Sequence, residues 1–412
     1  MVDDTLNFCE FGLQWVPPPR LSGTRGHYQI PDAGDRPTDF ETCVRSAVVA
    51  ERNGADWVMF GDVTDFYVPA SIWNGETSDL LEGADDPNGV FTCEPIIAAA
   101  GALTDRVNFI WGPVDLVRRA PINIAQMVLT LHHATKGRFA YILGHGQIDH
   151  MRQTGLSRIG SKDRFWDGVQ IIRKLTHQTE PFAFRGRVWK FDRGALGTSY
   201  YGDTPPLMFL AGSGDETLEL VGKYADGWNE APPAPFLCDP AVFAHKIQTI
   251  RAHAESIGRD PDEIRILAWL GVLMMDDRQL LERALDHPLT KWRTLIAAPA
   301  PVFEHFGFPH PVGGTFNYMK DIVPEWYTKA DFHDTVDRIP REAVRKFHFF
   351  GSSDEVLEQV EPWLDMGVTD TMIYNIGTLC GSEFMEACAE ANARLHKALL
   401  GRAVSRRALD RY

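Results

Sequence analysis

Short apolar runs alternate along the chain with longer stretches in which apolar residues recur every three or four positions. This is the pattern of buried parallel strands joined by helices. The runs are LNFCEFGLQW (6–15), DWVMF (56–60), RVNFIW (106–111), RFAYILG (138–144), PLMFLAG (206–212), DGWNEA (226–231), IRILAWLGVLMM (264–275) and TDTMIYNIG (369–377). Helical spacing is plainest in PINIAQMVLTLHHAT (121–135) and in RFWDGVQIIRKL (164–175), where Phe165, Val169, Ile172 and Leu175 share a stripe. About eight strands with intervening helices suit a closed (β/α)8 or TIM barrel, so the expected fold class is α/β. Two stretches interrupt the alternation: 63–93, polar and rich in Gly and Asp, and 286–343, rich in Pro and aromatic residues. No linker or repeat divides the chain, which reads as one domain over 1–412 with insertions at those places. Long inserts after barrel strands are where pockets and lids are usually built.

Composition narrows the partners. The chain has 412 residues, 44% of them apolar, enough for a sizeable core. Its 41 Lys and Arg against 56 Asp and Glu give a net charge of −15, which disfavours nucleic acid and anionic membrane surfaces. The opening residues MVDDTLNFCE lack a secretory pattern, and no apolar segment approaches the roughly 18 residues of a spanning helix. A cytoplasmic location is expected. Cys9, Cys43, Cys93, Cys238, Cys380 and Cys388 form no CxxC, so neither a disulfide framework nor a structural zinc is expected.

In a barrel the chemistry gathers at the C-terminal strand ends. After DWVMF come Asp62 and Asp65, which read equally as surface carboxylates or as functional ones. After RVNFIW come Gly112, Pro113 and Asp115, where proline either marks the strand's end or adopts the cis form available to X-Pro bonds. After RFAYIL comes the loop Gly144-His145-Gly146-Gln147. His145 and His150 have no metal-binding helix spacing, and the two glycines lack the rest of a phosphate-loop signature. What remains is a loop that lets a planar ligand approach the backbone, with His145 and Gln147 at its edge, or else a tight turn with an incidental histidine. After PLMFL come Ala211, Gly212 and Ser213, ahead of a helix whose N–H groups suit a phosphate; a plain N-cap by Ser213 is compatible with that.

Four ordered pieces carry a family resemblance: GADWVMFGD, RVNFIWGPVDLVRRAPINIAQMVLTLHHATKGRFAYILGHGQ, PPLMFLAGSGDETLELVGKYADGW and KFHFFGSSDEVLEQVEPWLDMGVTDTMIY. Together they resemble the bacterial-luciferase-like flavin- and deazaflavin-dependent oxidoreductases, over nearly the whole chain. HPVGGTFNYMKDIVP (310–324) is most similar to the coenzyme F420-dependent, phthiodiolone ketoreductase-like members. The resemblance implies a cis bulge at Gly112-Pro113 and a cofactor rim at Asp115, Gly144, His145, Gly146 and Gln147. It also implies a phosphate site at Ala211, Gly212 and Ser213, and commonly a homodimer. Two departures stand out: many relatives have an Asp-His pair where this chain has Asp62-Val63, and a glutamate where it has Gln147. Neither Val63 nor Gln147 can exchange a proton, so His145, Asp62 and Asp65 become the candidate proton handlers.

The expected activity is hydride transfer between coenzyme F420 (a deazaflavin) and a carbonyl or activated alkene of an apolar substrate, or the reverse with an alcohol. An FMN-dependent monooxygenase and a non-catalytic deazaflavin- or lipid-binding barrel are the alternatives. Phe303, Phe306, Phe308, Phe316, Tyr318 and Trp326 of the second insertion would either shape the substrate pocket or pack their own loop.

Overall fold

The computed structural model describes residues 14–16, 40–52, 57–64, 69, 71, 74–81, 91–152, 154–230, 239–317, 321 and 327–409. Its strands are β1 (Gln14–Val16), β2 (Trp57–Phe60), β3 (Asn108–Asp115), β4 (Phe139–Gly144), β5 (Phe182–Arg185), β6 (Lys190–Gly194), β7 (Leu207–Ala211), β8 (Gly227–Glu230), β9 (Arg265–Met274), β10 (Phe349–Gly351) and β11 (Asp370–Asn375). They run around the sheet as β1-β11-β9-β8-β7-β4-β3-β2, with β10 on the C-terminal part of β9. β1 lies alongside β2, bringing the two ends of the path together as a barrel requires. From β2 to β11 every pairing on that path is parallel.

Alternation along each strand divides the core into two layers. Val58, Phe60, Phe109, Tyr141, Leu210 and Trp228 face the surrounding helices. Trp57, Met59, Ile110, Ile142, Phe209 and Leu267 fill the barrel interior, which continues into the second insertion. Each such fully buried large side chain contributes about 1.5–3 kcal/mol. Helix starts follow local chemistry: Pro121 opens Pro121–Ala134, Asp239 caps Pro240–Glu255, and Ser352 with Glu355 makes a capping box on Ser353–Leu364.

Seven of the eight expected strands appear where the apolar runs place them. The first differs: of LNFCEFGLQW, residues 6–13 lie outside the described residues, and the short β1 pairs antiparallel with β11. The hairpin β5–β6 was not expected, although PFAFR and VWKFD alternate as strands do. It is pinned by buried Asp167 of the helix Ser161–His177, whose carboxylate accepts the N–H groups of Arg187, Val188 and Trp189 at 2.6–3.0 Å. The described residues of the second insertion are mainly helical, with Pro288–Ala297, Ala300–His305, Lys329–Asp337 and the start of Arg341–Phe347. Among the described residues no helix is long and apolar enough to cross a membrane.

Candidate active site

One side of the barrel mouth is built from small groups. Gly112 and Pro113 are joined by a cis peptide and together stand opposite the single residue Ile142, a bulge in the β3–β4 ladder. Gly144 ends β4 between that proline and Ala211 of β7: a methyl group on it would lie 3.1 Å from Pro113 Cβ and 4.0 Å from Ala211 Cβ. The three residues therefore form a surface with almost no relief. Gly146, in the left-handed region at φ 77°, is pressed against Met151 and Asp115, so that no side chain fits there. Its carbonyl accepts from Arg158 Nε at 2.6 Å.

Behind this surface lies a buried ionic network that the sequence reading missed. Asp62 accepts from Arg118 and, at 2.8 Å, from Arg119; Arg118 also holds Asp115, and Arg119 holds Glu94 at 3.0 Å. Asp115 further accepts the N–H groups of Val117 and Arg118 at 2.9 and 2.8 Å. Burial outweighs the pull of the two guanidinium groups and holds the Asp62 carboxyl above its ordinary range; with both cations in contact we assign it as the anion of the network. The tandem Arg118-Arg119, three and four residues after Asp115, was the available signal. Val63 is half-buried beside Asp62, and Asp65 lies outside the described residues.

His145 does not stand in the open mouth. Its ring lies tilted against Phe165, with centroids 4.1 Å apart, and its Nε2 lies 3.0 Å from Thr217 Oγ1, while Nδ1 is buried with no hydrogen-bond partner. Burial, then the cations of Arg158 and Lys162, push its pKa down to about 4. His150 is bound elsewhere, with Nδ1 3.2 Å from Thr64 Oγ1, and burial pushes it to about 3. Among the described residues no His, Cys, Asp and Glu cluster is arranged to hold a metal ion. Gln147 is half-buried at the end of the loop.

The loop after β7 lies against His145. Gly212 comes within 3.3 Å of the imidazole, counted from where a Cβ would be, and its carbonyl accepts from Trp228 Nε1 at 2.8 Å. Ser213 does not cap the following helix, Asp215–Tyr224: its N-cap is Gly214, with no side-chain hydrogen bond, which corrects the plain-cap reading. Thr217 N–H donates to the Gly214 carbonyl at 2.8 Å, so the N–H groups of Asp215 and Glu216 are the ones left to another acceptor, with Arg158 and Lys162 acting on the adjoining His145 as cations that would balance an anion. First-turn Glu216 is paired with Arg187 at 2.8 Å.

The opposite side of the mouth carries larger polar groups. Asn229 of β8 accepts from Trp269 Nε1 of β9 at 2.6 Å, and Tyr374 of β11 stands in register with Gly271 of β9. The guanidinium of Arg293, on Pro288–Ala297, lies over the Tyr374 ring. The aromatic insertion residues pack their own core: Phe303 is fully buried against Phe347 and His310, Phe306 and Phe308 also meet Phe347, and Phe316 stacks on His310. Tyr318 and Trp326 lie outside the described residues.

Comparison with known proteins gives this geometry a context. The family described as luciferase-like monooxygenase matches residues 14–370. The phthiodiolone/phenolphthiodiolone dimycocerosates ketoreductase of Mycobacterium tuberculosis (strain H37Rv) is 27% identical over 336 residues, covering 80% of this chain and 86% of that protein. The coenzyme F420-dependent tetrahydromethanopterin reductase of Methanopyrus kandleri superposes with a TM-score of 0.64 at 16% identity, covering 91% of this chain and 98% of that one. An F420-dependent secondary alcohol dehydrogenase, solved with an F420–acetone adduct, gives 0.60 at 16% identity, covering 86% and 95%. Both likenesses show the barrel fold.

Proposed function

The chain belongs to the luciferase-like monooxygenase family, and from that premise we propose that it is an oxidoreductase using coenzyme F420, acting on a carbonyl or activated alkene of an apolar substrate or on the corresponding alcohol. The observation that carries this reading is the flat surface of Pro113, Gly144 and Ala211 beside the unpartnered Nδ1 of His145 and the uncapped helix start at Gly214. A flat ring fits the first, a polar ring edge the second, and a phosphate the third. The likeness to a ketoreductase over most of its length favours deazaflavin over FMN.

When bound, the deazaflavin supplies hydride chemistry. The chain's own residues do the rest. Gly112, Pro113, Gly144 and Ala211 support one face of the ring and keep water from it, and Gly146 lets the loop approach. His145 and Gln147 offer hydrogen bonds to its edge, and Gly212 with Ser213 presents the helix start to the phosphate. At neutral pH His145 is uncharged and tied to Thr217, so it serves as a holder of the ring rather than as a proton donor. Asp62 and Asp115 stiffen the bulge through Arg118 and Arg119.

Fluorescence titration of the purified chain with oxidised coenzyme F420 and with FMN tests the reading. Tight binding of the deazaflavin, followed by oxidation of its reduced form by ketones or enones, is expected. Binding of FMN alone overturns it and favours the monooxygenase reading, while deazaflavin binding without turnover favours a binding barrel. The same reading makes the protein a cytoplasmic homodimer, with a mass near twice 46.3 kDa by light scattering.

A further inference from the structure

β8 carries one polar side chain into the barrel. Trp228 faces the surrounding helices, so its neighbour Asn229 points to the interior, in register with Ala211 of β7 on one side and Leu267 of β9 on the other. Asn229 is 8% exposed, and its amide is oriented from β9. Trp269, two residues nearer the mouth than Leu267, places Nε1 2.6 Å from one end of that amide; an indole N–H can only donate, so this end is Oδ1. The other end is therefore the nitrogen, turned away from the indole, and among the described residues Nδ2 makes no hydrogen bond. Beyond Trp269 the interior continues into the second insertion. There the helix Pro288–Ala297 is fastened by two threonines one turn apart: Thr290 Oγ1 lies 3.1 Å from Cys380 Sγ, just past β11, and Thr294 Oγ1 lies 3.1 Å from His348 Nε2, just before β10.

We propose that Asn229, oriented by Trp269, donates from Nδ2 to the carbonyl oxygen of the substrate and stabilises the negative charge that develops there during hydride transfer. The proposal rests on the deazaflavin reading and answers the question that reading leaves open. Asp62 is held by two arginines, and neither Val63 nor Gln147 can give a proton. An oriented N–H donor needs no acid. Its place follows from the register: Ala211, the β7 member of the flat surface, is the strand neighbour of Asn229, so the donor stands beside the ring's support. His145 and Gln147, which would take the ring's polar edge, follow β4 on the far side of β7. A donor this deeply buried is costly without an acceptor, and a carbonyl oxygen above the ring supplies one. The carbonyl carbon gains the hydride with its electron pair from the reduced coenzyme, leaving oxidised deazaflavin. The C=O π pair moves onto the oxygen at Nδ2, and water supplies the proton that completes the alcohol. The apolar remainder of the substrate is left to the second insertion.

The probe is 2-octanone, prepared with ordinary carbon and with carbon-13 at the carbonyl and bound to the full chain with and without oxidised coenzyme F420. Subtracting the two infrared spectra leaves the carbonyl band alone. In wild type that band should lie at lower wavenumber than in N229L, and in W269F, where the amide is free to turn, it should lie between them. With reduced coenzyme, kcat for 2-octanone should drop about a hundredfold in N229L, while KM changes less than about threefold and coenzyme affinity less than about twofold. The same band position in wild type and N229L, or in wild type and W269F, overturns the proposal. So does a coenzyme-bound wild type that neither binds nor reduces 2-octanone, and so does loss of coenzyme binding in N229L, which would place the amide on the coenzyme instead. Should N229L not fold, N229A carries the same expectation; loss of the fold in both marks Asn229 as structural and also overturns it. A wild type that shows the band shift relative to N229L but binds no coenzyme F420 keeps the oxygen subsite and removes the deazaflavin reading instead.

Discussion

Replacing Asp62 with asparagine separates two roles for this residue. In the structure Asp62 is 5% exposed and its Oδ2 takes both Arg118 and Arg119. The isosteric amide keeps the shape, removes the charge and leaves two guanidinium groups short of a partner. Breaking a buried pair in this way costs about 3–5 kcal/mol. Arg118 keeps Asp115, and Arg119 keeps Glu94 with a quarter of its side chain exposed. The loss should therefore fall at or just below the lower limit of that range, about 2–3 kcal/mol. In urea unfolding followed by circular dichroism that is a midpoint lower by about 0.5–1 M for a chain of this size, with the slope unchanged. Adding R119M to D62N should return part of the loss, because the stranded cation is gone, with a coupling of about 0.5 kcal/mol or more. A D62N protein as stable as wild type, within about 0.5 kcal/mol, whose turnover loses a pH limb would refute the argument and restore Asp62 as a proton donor.

Three further outcomes follow from the same geometry. Gly144→Ala brings a methyl to 3.1 Å from Pro113 Cβ, a contact small shifts can relieve, so melting should change little while deazaflavin affinity drops about tenfold or more; unchanged affinity would remove the flat-surface reading. His145→Asn should weaken coenzyme binding severalfold yet leave the pH–rate profile of turnover without a limb near 6.5 in either protein, and such a limb in wild type alone would return the proton to His145. Burial, first among the causes, pushes His132, His145, His287 and His310 to about 4 and His150 and His348 to about 3. The unfolded chain, with histidines near 6.5, takes up these protons first, so this stability is whole above about pH 6.5 and drains as pH falls toward 4, by about 1.4 kcal/mol per group and pH unit. Acid unfolding should then lie at about pH 5–6, and a protein still folded at pH 4 would contradict these histidine environments.

The barrel strands were legible because a strand buried on both faces is a nearly unbroken apolar run: β2, β4, β7, β8, β9 and β11 lie within such runs, and β3 begins in one and continues through the bulge to Asp115. β5, β6 and β10 were passed over: the first two alternate on a half-exposed hairpin, and β10 is three residues long. Gly112, Pro113, Gly144 and Ala211 could be placed from strand ends because backbone position alone brings them together. The network around Asp62 could not, since its partners Arg118 and Arg119 come from the segment after β3 and Glu94, which holds Arg119, from the helix Cys93–Leu103, and only folding makes them neighbours. His145 shows the same limit from the other side. Its place in the chain suggested an open mouth, whereas Phe165 and Thr217, distant in sequence, turn it into a tethered, neutral ring.

The two threonine contacts of Pro288–Ala297 tie the second insertion to the β10 and β11 ends, while the cis bulge and the glycine loop belong to β3 and β4. On the proposed reading, the wall offered to the cofactor and the wall offered to the substrate would thereby be carried by different stretches of chain. A chimera that takes residues 286–348 from another such barrel should exchange substrate preference and leave coenzyme affinity as it was. Specificity would then be a detachable part of this fold, free to drift while the redox half stays put.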